Sequence, residues 1–261
     1  MKVDAFTERR NRSLLLYGLL FGLTGVSVVI TQFDMGRGVL GFFKALVWGA
    51  TNFYPDAASL SKLPNISGKL LDTFLISISA TVSASPIALL LAFLGSRSTR
   101  PHGAFTLVAR GIGSLFRNIP LVAWAMILMF AFGQSSLTGF LALFLGSLGF
   151  LVRAFMEALD EVDAGTIEAL KATGAPYYSV ISRSVIPSST PQIVSWLLFM
   201  IETNVRDATL VGYLTGTGIG FAFDVYYKSF NYHAASLVVI VTVISVLALE
   251  AVSNSIRRII L

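Results

Sequence analysis

Apolar residues in this chain come in long runs separated by shorter polar stretches. Six runs stand out: Ser13–Thr31, Lys69–Leu94, Ala104–Phe132, Leu137–Phe155, Thr190–Tyr213 and His233–Ile256. At about 1.5 Å rise per residue, roughly 20 apolar residues cross a hydrocarbon core about 30 Å thick. The pattern therefore predicts about six transmembrane helices in an all-α integral membrane protein, because a helix satisfies its own backbone in lipid. The second and third runs exceed the required length, which predicts tilt or a break. In the third, Pro120 removes a backbone donor and drives Ile119 out of the helical region. A kink or split is predicted there, with an amphipathic segment before it. Pro86 predicts a bend in the second span.

The polar stretches carry their own signals. Gln32–Gly68 contains "GFFKALVWGATNFYPD", with Phe42, Phe43, Leu46, Val47 and Phe53 near helical spacing and Trp48 and Tyr54 suited to a membrane interface. Two readings stand: an amphipathic helix lying at the surface, or a loop packed on the protein's own spans. The second stretch follows the fourth span. Asp163 is placed to cap a helix whose positive end also suits Glu157, Asp160 and Glu161. A short helix is predicted over Gly165–Thr173, stopped by Gly174 in a left-handed conformation. Pro176 then opens a second short helix that runs to about Val185 and stops before Pro187, where the fifth span begins. Helices this short are marginal alone. They need a partner surface, either their own bundle or another protein. The chain thus divides into residues 1–67, a first span with an external amphipathic segment, and 68–261, a core domain carrying the loop 157–187.

Composition sharpens the membrane reading. Of 261 residues, 55% are hydrophobic and 13% charged, against about a quarter charged in soluble domains. Eleven Lys and Arg (Lys2, Arg9, Arg10, Arg12, Arg97, Arg100, Arg153, Lys171, Arg183, Arg257, Arg258) fall on the side of the N-terminus. Five (Arg37, Lys44, Lys62, Lys69, Lys228) fall on the other. The positive-inside rule then places both termini of a multi-pass protein in the cytoplasm. The net charge of +5 follows from this arrangement, and with no basic-aromatic surface it does not indicate nucleic acid. The N-terminal run lacks a small-x-small cleavage site and reads as an uncleaved helix.

Catalytic chemistry finds no support. There are no cysteines, so no disulfide and no thiolate metal site. His102 and His233 lie at ends of different spans on opposite sides, without metal-ligand neighbours. "SGKLL" at 67–71 lacks the upstream glycine of a P-loop. "GTGIG" at 216–220 has no strand before it, and the spacing of Gly212, Gly216 and Gly220 reads as close helix approach or a tight turn. Ionisable residues inside spans are costly and mark pathways or pairs. Arg117 and Asn118 precede the Pro120 break. Glu202, Asn204, Arg206 and Asp207 lie in or at the end of the fifth span. Two readings of Arg206 stand: a structural ion pair with Glu202 at i−4 or with Asp207, or a lining of an anion path. A split third helix could also offer backbone N–H groups to an oxyanion.

"EALKATG" followed by "VIP" resembles the EAA loop of ABC importer permeases, written Glu-Ala-Ala, three residues, Gly, nine residues, Ile, one residue, Leu-Pro. Glu168, Ala169, Gly174 and Pro187 match in register, while Leu170, Ser184 and Ile186 replace the second alanine, the isoleucine and the leucine. "LFRNIPLVAWAMILMFAFG" and "ETNVRDATLVGYLTGTGIG" resemble the phosphonate-type branch, with Thr217 where a glycine is usual. The resemblance implies the type I importer permease fold and a homodimer served by cytoplasmic ABC ATPase subunits. It also implies a bacterial cytoplasmic (inner) membrane as the location, and an extracytoplasmic substrate-binding protein. It implies that Glu168, Ala169, Gly174, Ala175 and Pro187 couple to the ATPase. ATP and Mg would be held by that partner, with no cofactor on this chain. Arg117, Asn118, Glu202, Asn204 and Arg206 are the candidate substrate pathway, and the implied cargo is phosphonate, phosphite or phosphate. Other small solutes, such as methionine or glycine betaine, remain open. So does an ion-coupled secondary transporter, although no internal repeat supports it. A membrane-embedded enzyme is disfavoured by the lack of clustered His, Asp or Glu.

Overall fold

The computed structural model describes residues 5–100 and 102–260. Every element among them is helical. In chain order these are α1 (Ala5–Ile30), α2 (Met35–Asn52), α3 (Ala57–Leu60), α4 (Leu63–Gly95), α5 (Gly103–Asn118) and α6 (Leu121–Phe132). They continue as α7 (Ser136–Asp160), α8 (Ala164–Ala172), α9 (Tyr177–Val180), a π-helical turn (Ile181–Val185), α10 (Ile186–Thr215), α11 (Gly218–Lys228) and α12 (Tyr232–Ile260). The chain forms two compact units, Met1–Tyr54 and Pro55–Leu261.

In the first unit, α1 is apolar with nearly every described side chain exposed, as suits a helix whose neighbour is lipid. The segment after it is a helix rather than a loop. Asp34 caps α2 by accepting the Arg37 N–H at 3.0 Å, and α2 leaves Phe42, Phe43, Leu46 and Val47 exposed.

The second unit is built around α4, α7 and α10. Ala80, Ala84, Ala88 and Ala92 recur every four residues on α4 and are fully buried. A stripe of small side chains lets helices approach closely where lipid removes the usual hydrophobic drive between them. Leu148, Leu151, Val152, Phe155 and Leu159 of α7 fill the same core as the lower part of this stripe.

Five helices are long and apolar enough to cross a membrane, or six if α5 and α6 together count as one broken span. The break is where Pro120 predicts it. Ile119 is extended at φ −86°, ψ 119°, and α6 leaves at 86° to α5. At 12 residues α6 reaches only about 18 Å, so the third predicted span is not a simple crossing. The helix α4 continues through Pro86.

Candidate functional site

The loop 157–187 forms as two helical pieces around an elbow. The Asp163 carboxylate accepts the N–H groups of Gly165 (3.2 Å) and Thr166 (3.0 Å) and the Thr166 hydroxyl (3.0 Å). These bonds, the Thr166 hydroxyl foremost, hold its pKa below the ordinary aspartate value. At the other end Gly174 takes φ +78°. Its N–H donates to Lys171 O (3.0 Å) and the Ala175 N–H to Leu170 O (3.3 Å). This is the paired closure that a left-handed residue gives a helix end. No atom lies within 4 Å of where a Gly174 Cβ would stand, so glycine is needed there for its backbone angle and not for space.

One face of the loop packs on the bundle. Ile167 and Val180 are buried, and Leu170 and Ala175 pack against the α4–α7 core. The Tyr177 hydroxyl donates to Thr99 O, and Gln192 Nε2 donates to Glu161 Oε2 at 2.5 Å. The opposite face is open. Glu168, Ala169, Lys171, Gly174 and Pro187 are exposed, and Tyr178, which the sequence pattern did not single out, is 83% exposed.

The predicted stop before Pro187 does not occur. Helix continues from Tyr177 to Thr215. The Ile186 N–H bonds Ile181 O five residues back, opening one wide turn just before a proline that would crowd the carbonyl four residues behind it. Buried Val185 and Ser184 seat this turn on the bundle. Pro191 also lies inside α10.

The five candidate pathway residues separate into three places. Asn204 is 1% exposed. Its amide N–H groups donate to Thr81 Oγ1 (2.7 Å) and Ser147 Oγ (2.6 Å), and Ser77 Oγ donates to its backbone oxygen (3.1 Å). It ties α4, α7 and α10 together in the core. Glu202 and Arg206 do meet, at 2.7 Å, as their i, i+4 spacing allows. Glu202 is buried and Arg206 half-exposed. The other oxygen of Glu202 faces Arg257 of α12 at 3.6 Å, a partner that sequence spacing gives no means of finding. Arg117 and Asn118 are exposed at the α5–α6 break, where the Arg117 backbone passes against Gly149 of α7. Neither forms an ion pair or side-chain hydrogen bond among the described residues.

The "GTGIG" stretch is a tight reversal between helices. Gly216 takes φ +71°, and a Cβ on Gly220 would lie 1.8 Å from Thr209 O. Ile219 N–H donates to Thr73 Oγ1 at 2.8 Å. The loop binds its own bundle, as close approach requires. Among the described residues no cluster of His, Asp or Glu could hold a metal ion.

Comparison with known proteins places this geometry. The family model "Binding-protein-dependent transport system inner membrane component" matches residues 84–261. The chain belongs to this family. Members resembling it include the phosphite transport system permease protein PtxC of Stutzerimonas stutzeri, 32% identical over 216 residues, 79% of this chain and 78% of that protein. The phosphate-import permease protein PhnE of Mycolicibacterium smegmatis is 33% identical over 190 residues, 73% of this chain but 36% of that protein's length. In solved structures the fold resembles a chain of the MetNI methionine ABC transporter in inward-facing conformation. The TM-score is 0.66 at 20% identity, covering 79% of this chain and 99% of that one. This family member has the all-α fold of the type I ABC importer permeases.

Proposed function

We propose that the chain is the membrane-spanning permease subunit of an ATP-driven importer of phosphorus oxyanions, phosphonate, phosphite or phosphate. Two copies would form the path. An extracytoplasmic binding protein would deliver the cargo, and ATP with Mg would be bound and hydrolysed on separate ATPase subunits. Both termini and the loop 157–187 would face the cytoplasm, in line with the Lys and Arg distribution.

The observation that carries this reading is the loop's two-sidedness and its continuity with α10. Its inner face is seated on the bundle, and its outer face offers Glu168, Ala169, Gly174 and Tyr178 to a partner. Its second half then runs without interruption into the helix that carries Glu202 and Arg206. A push on the loop is thereby delivered to the polar residues of the span, which is rigid-body switching between two access states. Arg117 and Asn118 at the broken helix, with Glu202 and Arg206, would border the path. The cargo class is supported by the names of the relatives and by the cationic character of this region.

The substitution Gly174→Asp tests the lever. A non-glycine residue at φ +78° is strained by about 1–3 kcal/mol, so the elbow deforms while the bundle stays assembled. ATPase turnover is expected to continue with uptake largely lost. Wild-type uptake by that variant counts against the lever.

A further inference from the structure

We propose that the groove between α10 and α12 is an oxyanion subsite anchored by Arg257, with the indole N–H of Trp196 and the hydroxyls of Ser195 and Thr203 as further donors. The proposal rests on the importer reading above and adds where the anion pauses inside the membrane-spanning unit.

The groove encloses about 380 Å³ and is lined by Gln192, Ser195, Trp196, Phe199 and Arg257. Thr203 lies one turn beyond Phe199 on the same helix. Four buried side-chain atoms of these lining residues lack a hydrogen-bond partner: Ser195 Oγ, Trp196 Nε1, and Arg257 Nε and Nη2; the buried Thr203 Oγ1, further along α10, lacks one too. Buried polar atoms are nearly always bonded, so such a cluster calls for a physical cause. The chemistry of the set is one-sided. An indole N–H and a guanidinium can only donate, and hydroxyls can join them as donors. Elsewhere in this chain Ser77, Thr81, Ser189 and Thr215 donate to the carbonyl four residues back, which is the ordinary outlet for a hydroxyl in a helix. Ser195 and Thr203 do not use it.

Charge points the same way. Glu202 lies between Arg206 at 2.7 Å and Arg257 at 3.6 Å, so two cations share this carboxylate, while Asp207 is a second carboxylate that interacts with Arg206 and not with Arg257. Arg257 also approaches Asn254 Oδ1 through Nη1 at 3.4 Å, leaving Nε and Nη2 without an acceptor at hydrogen-bond distance. A cation held only by a shared carboxylate, together with several bare donors, is costly in a membrane-spanning region until an acceptor arrives. A tetrahedral oxyanion supplies several acceptor oxygens, and charge-assisted bonds from arginine are the stronger kind. Occupancy would be brief, since a transport site must release what it binds.

The test uses the complete transporter, with its ATPase and binding protein, in proteoliposomes. Wild type is first offered labelled inorganic phosphate, phosphite and methylphosphonate, and the best-transported of these serves as probe. Failure of wild type on all three defeats the importer reading itself, before any variant is compared. With wild type active, Arg257→Gln is expected to lower the maximal uptake rate about ten-fold or more, with KM, set by the binding protein, little changed. Normal uptake by that variant overturns the subsite. The double variant Glu202→Gln/Arg257→Gln separates ligand contact from pairing. It stays defective if Arg257 meets the anion, and recovers if Arg257 serves only to neutralise Glu202, which also overturns the proposal. Where Arg257→Gln does not assemble, Trp196→Phe carries the test, because it keeps an aromatic ring beside Phe150 and Phe199 and deletes the indole N–H with the smaller part of the bicycle. A several-fold loss is expected, and unchanged uptake overturns the subsite.

Discussion

Two polar clusters sit within three turns of each other on α10, and they are built on opposite principles. Around Asn204, the amide N–H groups and the hydroxyls of Ser77, Thr81 and Ser147 find partners on α4, α7 and α10, and the residue is almost wholly buried. Around Arg257 and Trp196, buried donors lack acceptors, and Arg257 shares its carboxylate with Arg206. A satisfied buried network fixes one arrangement of helices, whereas an unsatisfied one is costly until something fills it. The contrast teaches that polarity inside a span does not by itself mark a path. Saturated partners make a clasp, and unsaturated donors are what the proposed subsite rests on.

The comparison can be broken most sharply at the clasp. Asn204→Ala leaves the Thr81 and Ser147 hydroxyls without their shared donor, at a cost of about 2–3 kcal/mol. The Tm of the purified transporter should fall by several degrees, and specific uptake per folded molecule should be preserved. An unchanged Tm would mean the clasp does not hold the bundle. Thr81→Val removes one acceptor and leaves Ser147, so its cost should be nearer 1 kcal/mol, readable in the same melting experiment. Arg257→Gln should reverse the pattern, lowering uptake with Tm close to wild type. A melting loss as large as that of Asn204→Ala would erase the distinction between the two clusters. The smallest effect belongs to the exposed cap of the loop 157–187. Because Asp163 is held below its ordinary pKa of 3.8, its contribution is fully present above that value and is lost as pH falls through the lower folded-state value. Hydrogen exchange across residues 164–172 should therefore be insensitive to cap titration between about pH 5 and 8, and Asp163→Ala should speed it while Asp163→Asn changes it little.

Local chemistry made part of this legible in advance. The cap at Asp163, the elbow at Gly174 and the break at Pro120 each follow from what one residue does to its own backbone. The Glu202–Arg206 pair follows from helical spacing. The 86° turn between α5 and α6 does not, because Pro120 determines that a helix ends and not where the next one points. The stop expected before Pro187 fails because the widened turn at Ile181–Val185 absorbs the proline's steric demand and keeps the helix going. Asn204 and Arg257 show a further limit. Their partners are 57 to 127 positions away for Asn204 and 55 for Arg257 (257 − 202), so only the assembled bundle distinguishes a clasp from a ligand site. Apolar spacing puts Asn204 in the fifth span but leaves Arg257 just beyond the sixth, His233–Ile256, whereas the helix runs on to Ile260; neither residue's role is legible from it.

The proposed coupling of ATP on one face to oxyanion movement through α10 is tested most directly by uptake in sealed proteoliposomes. The purified permease, reconstituted with its ATPase and binding protein, is given labelled phosphate, phosphite or methylphosphonate outside and ATP with Mg at the ATPase face. Accumulation of at least one of these anions that requires ATP and the binding protein is expected, with methionine excluded. Uptake that persists without ATP and collapses with an ion gradient, or uptake of methionine in place of the anions, would contradict it.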